Sequence, residues 1–238
     1  MKNKIISDSQ LYFFLSLGVV FVNFFLIDYV NQKSLVFILA FFVIFCGLPH
    51  GALDTLYAKK NNLYSNFLGL IFFNFIYIFL AIIIFFLWQK LPVLFLFLFL
   101  LISIFHFSED WKSEINIFQR LLIATSVISF IVMFKKSEVE LIFFSLTNSY
   151  QSNYIILLFY YLNFILVPLI FGIVFLNFKN KQILLNIITI IFTAILLNPL
   201  MYFLCYFCFY HSIKNFKESR ILLFPKKRLM QQKILIIN

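Results

Sequence analysis

Residues 67–88 read FLGLIFFNFIYIFLAIIIFFLW, 22 consecutive positions that carry one strongly polar side chain, Asn74, and no charge. At about 1.5 Å per helical residue this run reaches about 33 Å, enough to cross a hydrocarbon core of about 30 Å. Polar residues close it on both sides, Asn61, Asn62, Ser65 and Asn66 before it and Gln89 and Lys90 after it. Inside a bilayer every backbone N–H and C=O needs an internal partner, so an apolar run of this length without period-two alternation predicts a membrane-spanning helix.

The rest of the chain has the same character. Of 238 residues, 63% are hydrophobic and 12% charged, and the mean hydropathy is +1.01. Soluble domains carry about 25% charged residues, so a water-soluble domain is excluded. Apolar runs bounded by polar clusters predict eight spans: Leu11 to Ile27, Leu35 to Leu53, Phe67 to Trp88, Leu91 to Phe107, Leu121 to Phe134, Tyr154 to Leu176, Ile183 to Leu197 and Pro199 to Ile213. The stretch Ser137 to Leu146 is too short to cross and reads as an interfacial helix. The expected fold is all-α, one polytopic helix bundle over residues 1–238, with a basic tail from about residue 214.

Lys2 and Lys4 precede the first span, but no small-residue cleavage site follows it, so it reads as a retained anchor rather than a signal peptide. With eight spans, the side that holds both termini carries 15 of the Lys and Arg residues and the other side 4. The positive-inside rule therefore predicts an inner-membrane protein with both termini in the cytoplasm. Attraction to an anionic leaflet accounts for the net charge of +10 without nucleic acid. The excess of Phe, Ile, Asn and Lys reads as AT-rich codon usage as much as physics. Cys46, Cys205 and Cys208 lie in apolar runs and imply no disulfide framework.

All nine acidic residues fall in loops or at span ends, which argues against a charge-relay pump or a voltage sensor. The three histidines are the informative feature. His50, His106 and His211 stand near the C-terminal ends of the second, fourth and eighth spans, which run in the same direction, so all three converge on one level. Each is followed four positions later by a short polar group, Asp54, Asp110 or Asn215. On a helix, positions i and i+4 share a face, and a carboxylate there can hold one ring nitrogen and leave the other for a metal. Around the first histidine, Gly47 and Gly51 permit close helix approach, and Pro49 removes a helical hydrogen bond and bends the chain. The residues thus point to a metal site in a membrane bundle, with neutral nitrogen ligands that suit iron, zinc or copper.

Three segments carry a family resemblance: Gly47 to Asp54 (GLPHGALD), Ser103 to Asp110 (SIFHFSED), and Asn198 to Phe203 (NPLMYF) with Tyr210 to Asn215 (YHSIKN). In this order they resemble the bacteriorhodopsin-related-protein family (Brp/Blh), membrane enzymes that cleave β-carotene to retinal, over roughly residues 30 to 220. The resemblance implies a non-haem Fe(II) held by His50, His106 and His211, O2 and β-carotene as substrates, cleavage at the central 15,15′ double bond, and a rhodopsin as retinal acceptor. The family's last motif, H-S-x-R-H, puts the fourth ligand on Asn215, and its usual H-F-G is His106-Phe107-Ser108 here. Family members also continue well beyond the last motif, whereas this chain has 27 residues after His211. The alternative expectation is a non-catalytic carotenoid or retinal carrier or rhodopsin-assembly partner, a degenerate or truncated member. A transporter would need polar residues along a midplane path, and Asn23, Asn74, Ser103, Asn163 and Asn186 are too scattered to make one. Three histidines are also too few for a diiron desaturase.

Overall fold

Local capping signals set where the helices begin. The computed structural model describes residues 6–26, 37, 40–42, 44–46 and 54–223, and among these residues every regular element is helical. Helix α1 (Asp8–Leu26) opens on a reciprocal pair, in which the Ser7 amide donates to Gln10 Oε1 (3.0 Å) and the Gln10 amide donates to Ser7 Oγ (3.3 Å). Two amides at the helix start are satisfied in this way. Helix α2 (Asp54–Lys60) is short, and α3 (Phe67–Lys90) begins where the Asn66 side chain accepts from the Gly69 amide at 2.8 Å. A Cβ at Gly69 would stand 3.0 Å from Tyr64 Cβ and 3.1 Å from that capping oxygen, so glycine is what lets the cap close.

Helix α4 (Pro92–Ser108) starts on a proline, whose missing N–H has no partner to lose at that position. It tightens at its end into a 3-10 turn, Glu109–Trp111. Helices α5 (Ile117–Phe134), α6 (Lys136–Thr147), α7 (Asn153–Leu176), α8 (Lys181–Leu196) and α9 (Pro199–Tyr206) follow. Asn116, Asn180 and Asn198 cap α5, α8 and α9 as Asn66 caps α3. The last part of the chain does not stay α-helical throughout. Residues Phe207–His211 form a π-turn, in which the Ser212 amide bonds Phe207 O, and α10 (Ser212–Leu223) continues from it.

Burial orders these helices. Among its described residues α3 buries none, as expected of a helix with lipid on nearly every side. Helix α4 buries Leu96, Leu100, Ile104 and Phe107, a single stripe at helical spacing. Helix α5 packs most extensively on α7 and also on α4 and α8, and α1 lies along α8 and α9. Lipid tails are as apolar as leucine, so polar bonds between helices carry part of the cohesion. Asn163 Nδ2 donates to Ser129 O (2.9 Å), Tyr202 Oη to Val127 O (2.6 Å) and Asn186 Nδ2 to Tyr210 Oη (2.8 Å), all in the interior.

Five helical stretches among the described residues are long and apolar enough to cross a membrane: Asp8–Phe25, Phe67–Lys90, Pro92–Trp111, Ile117–Phe134 and Tyr150–Leu176. They match the expected first, third, fourth, fifth and sixth spans. The expected seventh is the 16-residue apolar α8, about 24 Å long by helical rise. The expected eighth, Pro199 to Ile213, is interrupted by the π-turn and is not one uniform helix. The second span lies largely outside the described residues. The 12-residue α6 covers the expected interfacial helix, is about 18 Å long and too short to cross, and accepts the Trp88 indole N–H at Leu146 O (3.3 Å). The stretch read as the start of a basic tail is helical as far as Leu223, and Lys214 and Ser219 within it are buried. Cys46, Cys205 and Cys208 are free thiols.

Candidate metal centre

The last turn of α4 and the π-turn bring two of the three histidines together. His106 Nε2 stands 3.1 Å from His211 Nε2, with the rings nearly perpendicular at 71°. Two nitrogens that each lie about 2.1 Å from one ion, at tetrahedral to octahedral angles, are about 3.0 to 3.4 Å apart, so this pair has the spacing of neighbouring ligands. His211 is 1% exposed, while His106 has an exposed face.

Behind His211 stands Asp110, itself 5% exposed. Its two carboxylate oxygens lie 3.0 and 3.1 Å from His211 Nδ1, and one of them accepts from Tyr206 Oη at 2.6 Å. A carboxylate facing Nδ1 fixes the ring proton there and leaves the Nε2 lone pair directed at His106. The pairing differs from the expected one. The i+4 spacing assigned Asp110 to His106, but α4 ends at Ser108 and the tighter 3-10 turn that follows carries the Asp110 side chain across to His211, 101 positions away.

Aromatic rings close this region. The Phe107 ring centroid is 4.9 Å from that of His211 and 5.1 Å from that of Tyr206, and the Phe207 centroid is 5.8 Å from that of His211. Trp111, Tyr12 and Tyr210 are fully or almost fully buried beside them. Ion pairs surround this apolar plug. Lys214 bonds Glu114 at 2.8 Å and lies over the Tyr210 ring, Lys112 bonds Glu218 at 2.8 Å, and Arg120 bonds Glu109 at 2.9 Å. Lys217 pairs with Asp8. The Glu218 carboxylate raises the Lys112 ammonium pKa above its ordinary value. The three lysine pairs fasten α10 to α1 and to the segment that follows α4, and the Arg120–Glu109 pair ties that segment to α5.

The remaining expected site residues divide in two. Asn215 lies one turn beyond His211, half-buried, and its Oδ1 accepts from Ser219 Oγ at 3.2 Å. His50, with Gly47, Pro49 and Gly51, lies outside the described residues, and Asp54 opens α2. The chain on both sides of His50 is nevertheless fastened to the His211 segment. Cys208 Sγ donates to Phe42 O (3.6 Å), the Phe42 and Phe209 rings meet edge to face at 6.1 Å, and Tyr57 Oη donates to Ser219 Oγ (2.9 Å). Among the described residues no three His, Cys, Asp or Glu side chains gather around one metal-sized point. Sequence reasoning misses Tyr206 and Trp111, since neither stands at a helical spacing from a histidine that marks it.

The family model for β-carotene 15,15′-dioxygenase matches residues 41–236, a range that includes all three histidine motifs. The chain belongs to this family. A β-carotene 15,15′-dioxygenase from uncultured marine bacterium 66A03 is 32% identical over 183 residues, which cover 73% of this chain. The chain spans 66% of the length of that relative. No solved structure matches this member of the family.

Proposed function

We propose that this chain is an iron-dependent dioxygenase that cleaves β-carotene at the central 15,15′ double bond. One O2 is consumed, the C=C bond breaks, and each carbon gains one oxygen atom, giving two molecules of retinal. The iron would be held by His50, His106 and His211, with Asn215 as a fourth donor. The observation that carries this reading is the His106–His211 pair at ligand spacing, backed by Asp110. The attachment of the chain on both sides of His50 to the His211 segment supports the third ligand, and an amide oxygen such as that of Asn215 has a second lone pair beyond the one that Ser219 uses.

Bound ferrous iron supplies the redox chemistry that lets O2 react with a polyene. The chain's own residues do the positioning. Asp110 holds the His211 tautomer, Phe107, Phe207 and Trp111 keep water from the buried side, and the exposed face of His106 is the open approach. β-Carotene dissolves in the bilayer, so delivery needs no aqueous channel. The excess of Lys and Arg on one side supports an inner-membrane protein with both termini in the cytoplasm, from which retinal would pass to a rhodopsin.

The test is retinal, measured by chromatography, in a β-carotene-accumulating bacterium that expresses this chain beside His50→Ala and His211→Ala variants. Retinal that depends on both histidines is the expected result. None from a chain that is folded in the membrane and binds metal would overturn the reading, and the carrier alternative would take its place.

A further inference from the structure

Tyr206 and His211 are five residues apart, and on an uninterrupted α-helix of 3.6 residues per turn they would point about 140° away from each other. The π-turn changes this. Its hydrogen bonds run from i to i+5, so residues five apart come nearly into line. The two rings accordingly lie on one side, with centroids 6.4 Å apart and planes 23° from parallel, and both reach the same carboxylate. Tyr206 Oη donates to Asp110 Oδ2 at 2.6 Å, and His211 Nδ1 faces both carboxylate oxygens. Tyr206 itself is 0% exposed.

We infer that Tyr206 is a positioning residue for the metal site, acting through Asp110 on His211, and that the π-turn brings the tyrosine and the histidine to one carboxylate. The inference rests on the metal-centre reading above. A buried carboxylate must be hydrogen-bonded to remain charged and oriented. The two oxygens of Asp110 lie almost equally far from Nδ1, so the imidazole alone does not fix the rotation of the carboxyl group. The Tyr206 hydroxyl fixes it by holding one oxygen. Without the hydroxyl the carboxylate turns, and the direction of the His211 Nε2 lone pair is no longer set. Tyr210 makes a natural comparison, because it lies on the same segment, is just as buried, and has its hydroxyl bonded to Asn186 rather than to Asp110.

The experiment uses the full chain purified in detergent and loaded with Co(II), which reports ligand geometry in its visible spectrum and needs no turnover. Tyr206→Phe keeps the ring and removes only the hydroxyl. It is expected to weaken Co(II) binding by roughly 10- to 100-fold, the range typical for partners of metal ligands, and to shift the visible bands, whereas Tyr210→Phe leaves both unchanged. Asp110→Asn is expected to shift the bands in the same sense and stands in for Tyr206→Phe if that variant fails to fold. Equal affinity and an unchanged spectrum in Tyr206→Phe would overturn the inference. So would an equal loss in Tyr210→Phe, or an Asp110→Asn variant that binds as the unaltered chain does. Failure of the unaltered chain to bind Co(II) would instead remove the metal-centre reading beneath it.

Discussion

The Lys214–Glu114 pair fastens the helix that follows His211, and its removal is expected to loosen that end of the molecule. The two charges meet at 2.8 Å, with side chains 11% and 17% exposed. At an effective dielectric of about 20, the bare attraction at this distance is about 6 kcal/mol. Desolvation of both groups offsets much of it. Breaking one side of a buried pair costs about 3 to 5 kcal/mol, against about 1 or less for an exposed pair. The small remaining exposure puts Glu114→Gln and Lys214→Met each at about 2 to 3 kcal/mol. Removing both partners leaves no unpaired charge, so the double variant should lose about 2 kcal/mol less than the sum of the two. The assay is unfolding of the full chain in mixed micelles under increasing SDS, across the four members of the cycle. Single losses that add within about 0.5 kcal/mol would refute the reasoning, because they would show that solvent already screens the pair.

Three further outcomes are expected. His106→Ala and His211→Ala each abolish retinal formation and metal retention in membranes, and a variant that keeps both removes that histidine from the ligand set. Asn215→His raises Co(II) affinity by roughly 10-fold, about 1.4 kcal/mol, as seen by metal titration, and no change excludes a limiting amide ligand. Tyr202→Phe deletes a bond to Val127 O and should cost about 0.6 to 1.7 kcal/mol of micelle stability while leaving the Co(II) spectrum unaltered.

The run at Phe67 to Trp88 is legible as a helix because length and lack of charge suffice to define one in lipid, and five expected spans appear close to their anticipated limits. The asparagines, whose excess reads as codon usage as much as physics, act locally, since Asn66, Asn116, Asn180 and Asn198 each open a helix. The His106–His211 meeting could be anticipated from same-direction helices. The partner of Asp110 could not be, because the i+4 rule assumes a helix that continues, and α4 stops two residues short of Asp110. The π-turn leaves no mark in composition, so Pro199 to Ile213 reads as one helix and Tyr206 goes unnoticed. Lys214 and Ser219 read as tail residues because their partners, Glu114 and Tyr57, are 100 and 162 positions away.

The order of synthesis gives the Asp110 arrangement one more consequence. Tyr206 and His211, its hydrogen-bonding partners among the described residues, leave the ribosome 96 and 101 residues later. At about 5 to 20 residues per second that delay is about 5 to 20 s. Through this interval the growing chain carries a carboxylate at a position meant to be buried, with neither donor yet made. The closing segment therefore docks onto a place already prepared for it by electrostatic demand, and a metal that needs both imidazoles can be captured only afterwards. On the proposed metal-centre reading, metal retention would serve as a timestamp on membrane assembly, recording that the last helices have reached their place.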